Sequence, residues 1–305
     1  MPAGLHGPGR RDSISGDSDS QAMYKDFYRL REYPFNMTPD PQFLFLSDNH
    51  RVALDVLRYG IRERKGFIVI TGEIGAGKTT VCRALLRSLD TNTKTALILN
   101  PTLSDSQVLH VICDEFRLQP AKTTKKDLYD TINDFLFREL AANHNVALIV
   151  DEAQNLKPRV LEQIRMLSNL ETEKDKLLQI ILVGQPELTD ILKRDDLRQL
   201  KQRIALRHHI TPLAWEEVGQ YIRHRLEVAG GNGQIQWTDG ALLLIRRYSR
   251  GVPRLINVIC DKALLAGYVT ESFTIGPGLI QRAIEDLEGE PIGDEIRLTP
   301  EVALE

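Results

Sequence analysis

Short β-branched runs alternate along this chain with longer stretches whose apolar residues recur at helical spacing. Phe67-Ile68-Val69-Ile70 is the first run, and strands are expected at 67–71, 95–99, 146–150 and 178–183, with a short fifth near 205–210. Helices are expected near 48–64, 78–90, 104–116, 125–142 and 157–170. Strands alternating with helices predict a parallel sheet covered on both faces. From Trp215 the pattern changes to helices alone, at 215–229, 238–249, 253–269 and 277–288, punctuated by Gly230-Gly231-Asn232-Gly233 and Gly251-Val252-Pro253. The pattern divides the chain into an α/β domain with five parallel strands over 23–213 and a small all-helical domain over 214–288. Residues 1–22, rich in Gly, Ser, Asp and Arg, are expected to be a disordered extension, and 289–305, with Pro291 and Pro300, a flexible tail.

The first strand runs into Gly72-Glu73-Ile74-Gly75-Ala76-Gly77-Lys78-Thr79, followed by Thr80 and good helix material. This is a complete GxxxxGK[ST] phosphate loop in the strand–loop–helix setting that the motif requires. Glycines let the backbone curl so that successive N–H groups face phosphate oxygens, and the helix N-terminus adds its positive dipole end. Lys78 is placed to reach the β- and γ-phosphates, and the Thr79 hydroxyl to ligand Mg²⁺. The chain is expected to bind ATP with Mg²⁺.

The strand Val146-Ala147-Leu148-Ile149-Val150 ends in Asp151-Glu152, where ligands sit on open α/β sheets. Asp151 is expected to hold the metal, directly or through water, and Glu152 to polarise the attacking water. The next strand ends at Gly184-Gln185, where Gln185 either contacts that water or the γ-phosphate, or simply caps a turn. Arg198 and Arg203 precede the last strand, and Arg254 opens a helix of the small domain. A guanidinium near the γ-phosphate stabilises charge in phosphoryl transfer; spacing alone equally allows exposed, salt-bridged arginines.

The bulk numbers narrow the class. Of 305 residues, 42% are hydrophobic and 27% charged, with a formal net charge of −3, so no global attraction to nucleic acid or an anionic surface follows. Cys82, Cys113 and Cys260 are too widely spaced for a disulfide framework or metal cluster. No apolar run reaches the ~20 residues of a membrane span, and no signal-peptide core opens the chain. A cytoplasmic location is expected. Arg223-His224-Arg225, Arg246-Arg247 and Arg250 make a basic face conceivable, and with it DNA binding.

Together these residues resemble an AAA+ ATPase of the ExeA/GspA type, the ATPases of general secretion pathway protein A. The resemblance is carried by Tyr24-Lys-Asp-Phe-Tyr28, Pro34-Phe35, Thr38-Pro-Asp-Pro41, Gly72–Thr80, Asp151-Glu-Ala-Gln154, Gly184-Gln-Pro-Glu-Leu188, Leu200-Lys-Gln-Arg-Ile204 and Gly251-Val-Pro-Arg254, and covers roughly 23–288. It implies a P-loop AAA+ core followed by a helical lid. It implies that Gln185 is the sensor on the fourth strand and that Arg203 or Arg198 is a finger reaching a neighbouring subunit's γ-phosphate. Arg254 would be the second sensor, and Phe35–Pro41 would wall the adenine side. Family members in secretion commonly carry a transmembrane helix and a peptidoglycan-binding domain after this core. Neither is expected here, so any envelope role would run from the cytoplasmic side through partners. The functional expectation is an oligomeric, Mg²⁺-dependent ATPase that assembles or remodels an unidentified protein partner; the alternative is an ATP-dependent DNA-binding regulator of the transposition-ATPase kind.

Overall fold

Phe67 and Val69 of the first strand enter one apolar cluster, while Ile68 and Ile70 enter another on the opposite face. A strand buried on both sides belongs in the middle of a covered parallel sheet. The computed structural model describes residues 24–38, 40–99, 101–172 and 175–289; the expectations for 1–22 and for the tail beyond Gly289 lie outside them.

In chain order the α/β part runs α1 (Asp48–Arg62), β1 (Phe67–Gly72), α2 (Lys78–Ser88), β2 (Thr93–Ile98), α3 (Gln107–Glu115), α4 (Lys125–Ala141) and β3 (Asn145–Val150). It continues with α5 (Pro158–Leu167), β4 (Gln179–Gly184), α6 (Glu187–Ile191), α7 (Arg198–Arg203) and β5 (Ile204–Ile210). The five strands pair in the order β2-β3-β4-β1-β5, every pair parallel. β4 is therefore central, β1 lies between β4 and β5, and β1, β3 and β4 all end at the same edge of the sheet. Helices α3, α4 and α5 cover one face of the sheet, and α1 and α2 cover the other.

The second part comprises α8 (Glu217–Val228), β6 (Gln236–Trp237), α9 (Asp239–Ser249), α10 (Pro253–Val269), β7 (Thr274–Ile275) and α11 (Pro277–Glu288). The sequence pattern shows helices alone here, but Gln236 pairs with Thr274 and Trp237 with Ile275 in a short parallel ladder. Two-residue strands are too short to leave a periodic signal.

A second difference concerns the start of the chain. Tyr24, Tyr28, Leu30, Phe35 and Phe43 are buried with the helices of the second part, not with the sheet. The Tyr24 hydroxyl donates to Asp261 (2.5 Å) and that of Tyr28 to the Ser272 carbonyl (2.9 Å). Arg225 of α8, itself buried, donates to the carbonyls of Pro34 and Asn36 and lies over the Phe43 ring at 4.7 Å. The early aromatics thus fill a core that four short helices alone leave open. Residues grouped with the α/β part by sequence order form a strap on the helical part.

Candidate active site

The loop after β1 depends on two glycines. Gly75 and Gly77 have φ of 79° and 96°, a backbone region costly for side chains with a Cβ. Space forbids one as well: a Cβ on Gly77 would lie 2.8 Å from His50 Nε2, and one on Gly75 2.5 Å from the Arg254 Cβ. Gly77 caps α2 without a side-chain bond, so the first-turn N–H groups of α2 face outward without a capping side chain. Lys78 is buried, and its Nζ donates to the carbonyls of Gly72 (2.8 Å) and Glu73 (2.9 Å). Burial pulls its pKa below the usual lysine range, against the opposing pull of Glu152 and Asp151.

His50 supports the loop from behind. Its Nε2 donates to the Ala76 carbonyl (2.9 Å), which leaves Nδ1 to accept from the Ser47 hydroxyl (2.6 Å). Nothing in the sequence singles it out, since a lone histidine at the start of an amphipathic helix carries no motif.

β3 delivers the two carboxylates. Asp151 is buried and accepts from the Thr79 hydroxyl at 2.7 Å, so the two side chains expected to share a divalent cation already meet. Hard oxygen donors of this kind suit Mg²⁺. Glu152 follows with φ 53°, outside the strand conformation, its N–H bonded to Asp151 Oδ1 at 2.9 Å. The Glu152 Oε2 accepts from two amides, Gln154 Nε2 (2.5 Å) and Gln185 Nε2 (3.2 Å). Gln185 is thus no mere turn cap; it lies against the expected base. Gln154, which the sequence presented only as a letter in a motif, closes the network by accepting the Gln185 backbone N–H at 3.0 Å.

A cavity of about 380 Å³ opens between this loop and the helical part, with Lys78, Thr79, Glu152, Gln185 and Arg254 on its polar side. The Arg254 backbone N–H reaches the Gly75 carbonyl (3.3 Å), and its side chain is exposed toward the cavity. The far wall is Asn36–Thr38, Phe43–Phe45 and Tyr221. Of the expected wall Phe35–Pro41, Asn36, Met37, Thr38 and Asp40 line the cavity, whereas Phe35 faces the core of the helical part, and Phe43, Leu44 and Phe45 add further apolar surface.

Arg203 and Arg198 lie elsewhere. Ile204 pairs with Phe67, the first residue of β1, so Arg203 sits at the sheet edge opposite Gly72. It donates to the Ser168 hydroxyl at 2.7 Å, while Arg198 is exposed. Neither lines the cavity of its own chain. The basic face is also thinner than the sequence implied: Arg225 is buried under the strap, and Arg246 stacks on Trp215 at 5.2 Å.

Residues 61–192 match the AAA domain family. General secretion pathway protein A of Aeromonas hydrophila is 48% identical over 268 residues, covering 88% of this chain and 49% of that protein. The chain carries an AAA domain and, over most of its length, is similar to general secretion pathway protein A. It spans about half the length of that relative. Among solved structures, the chain superposes on the ORC2 protein of Aeropyrum pernix with a TM-score of 0.64 at 16% identity, covering 86% of this chain and 73% of that one. Cdc6p from Pyrobaculum aerophilum gives 0.65 at 17%, covering 88% and 72%. The RuvB branch migration motor of Thermotoga maritima gives 0.56 at 17%, covering 83% and 72%. At such identities these neighbours establish the shared P-loop fold. No described helix is long and apolar enough to cross a membrane.

Proposed function

We propose that the protein hydrolyses ATP with Mg²⁺ and, as a homo-oligomer, uses the cycle to assemble or remodel a partner protein complex. The observation that carries the reading is the convergence of Lys78, the Thr79–Asp151 pair and the Glu152 carboxylate on one cavity beneath Arg254. On binding triphosphate, Lys78 exchanges its two carbonyl partners for phosphate oxygens, and the N–H groups of the α2 N-terminus take others. Thr79 and Asp151 would hold Mg²⁺, which supplies charge neutralisation on the phosphates. The water oxygen attacks the γ-phosphorus, the bond from phosphorus to the β–γ bridging oxygen breaks, and Glu152 takes the water proton. Gln185 and Arg254 line the same cavity and would stabilise the charge that develops on the transferring phosphoryl group.

The relative's name supports a place in an envelope or secretion assembly. Arg225 is withdrawn into the strap, which favours protein remodelling over duplex binding. Nucleotide affinity and turnover of two variants test the proposal. Lys78→Ala is expected to abolish nucleotide binding, and Glu152→Gln to bind ATP normally while turnover falls about 10²–10⁴-fold. Full turnover in Glu152→Gln would remove the assignment of the base.

A further inference from the structure

Gln154 ties the ends of β3 and β4 together at the site. It follows Glu152 by two residues, in the turn at 153–155, and its amide is used at both ends. Nε2 donates to Glu152 Oε2, and Oε1 accepts the backbone N–H of Gln185. The two bonds fix the orientation of the amide, since reversing it would set oxygen against carboxylate and NH₂ against N–H. The Gln185 side chain then bonds the same Oε2, so both amides converge on one oxygen of Glu152.

Passage for this side chain is provided by Gly184. A Cβ there would lie 2.7 Å from Gln154 Oε1 and 3.0 Å from the Leu188 side chain. Gly184 closes a strand and has no positive φ, so its lack of a side chain answers to space, and Gln154 is what occupies that space.

We propose that Gln154 is a positioning residue: it holds Glu152 by Oε2, leaving Oε1 as the acceptor for the attacking water, and locks Gln185 to the same carboxylate. The proposal rests on Glu152 being the base. Glu152 sits in the left-handed region with no helix or strand bonds of its own side chain to orient it, so the amides supply that orientation. Gln154 does not itself line the cavity and reaches it only through Glu152 and Gln185. Its effect therefore belongs to turnover and not to binding.

The test compares Gln154→Met, close in volume but unable to make either bond, with Gly184→Ala, which crowds the amide and leaves Gln154 in the sequence. Steady-state ATP turnover and the affinity for a fluorescent ATP analogue are measured for both, beside wild type and Glu152→Gln. Expected is a fall in kcat of about 10-fold or more in each, with nucleotide affinity within about twofold of wild type, the signature of misplacing a catalytic group. Wild-type kcat in Gln154→Met overturns the proposal, and so does a parallel loss of affinity and kcat in both variants. If Glu152→Gln is inactive while Gln154→Met is fully active, only the positioning role fails. If Glu152→Gln is itself active, the assignment of the base fails first.

Discussion

His50 illustrates how a residue away from the chemistry governs the phosphate loop. Burial holds its imidazole below the usual histidine pKa, outweighing the hydrogen bond to Ala76 and the nearby Glu217 that favour the cation. The folded state thus keeps the ring neutral, while the unfolded chain binds a proton near pH 6.5. Stability from this group is present above that pH and is lost as pH falls toward the depressed folded value. His208 and His224 are shifted in the same direction by burial and add to the slope. The melting temperature is expected to drop between pH 7 and pH 5. In His50→Gln it should start lower, by about 1–2 kcal/mol of stability, and depend less on pH over that range; an unchanged slope would place the acid sensitivity elsewhere. Lys78, Thr79, Asp151 and Glu152 were legible in the sequence because phosphate chemistry needs those residue types directly after a strand. His50 and Gln154 were not. Their partners lie 26 and 31 residues away, so their roles exist only after the chain has folded.

At the scale of elements, the strap at the start of the chain departs most from the order of the sequence. Strands β1, β3 and β4 announced themselves by apolar runs buried on both faces, and the helices by capped, amphipathic segments such as α1 behind Ser47 and α4 behind Thr124. Nothing in a run of aromatics and prolines says which core it enters. The answer lies in Arg225, a buried guanidinium bonded to the Tyr221 hydroxyl (2.9 Å) and to strap carbonyls. Arg225→Met would keep much of the packing against Phe43 but leave those carbonyls without donors. A loss of about 2–4 kcal/mol is expected in urea unfolding. Nucleotide affinity should weaken as well, because the strap supplies Asn36–Thr38 and Phe43–Phe45 to the cavity. A destabilised variant with full affinity would show that this wall makes no contact of consequence.

For the whole molecule, the distribution of arginines separates what one chain can do alone from what it needs a neighbour for. Arg254 faces its own cavity, whereas Arg203 stands at the far edge of the sheet, beyond the reach of its own phosphate loop. Should Arg203 serve phosphoryl transfer, it does so in a second copy. Arg203→Ala is expected to bind ATP normally and hydrolyse it poorly. Mixed with Lys78→Ala it should regain part of the activity, since intact loops of one variant then meet intact fingers of the other. No recovery on mixing, read by phosphate release, would exclude that arrangement. The strap has one more consequence. Because residues 24–43 and 213–284 share one core, the sheet domain is in effect an insertion between the two ends of the helical part. The chain crosses the boundary twice, once on the way out and once on the way back. A body held by a single tether can swing in any direction, whereas one held at two points turns about the line between them, as a door turns on its pins.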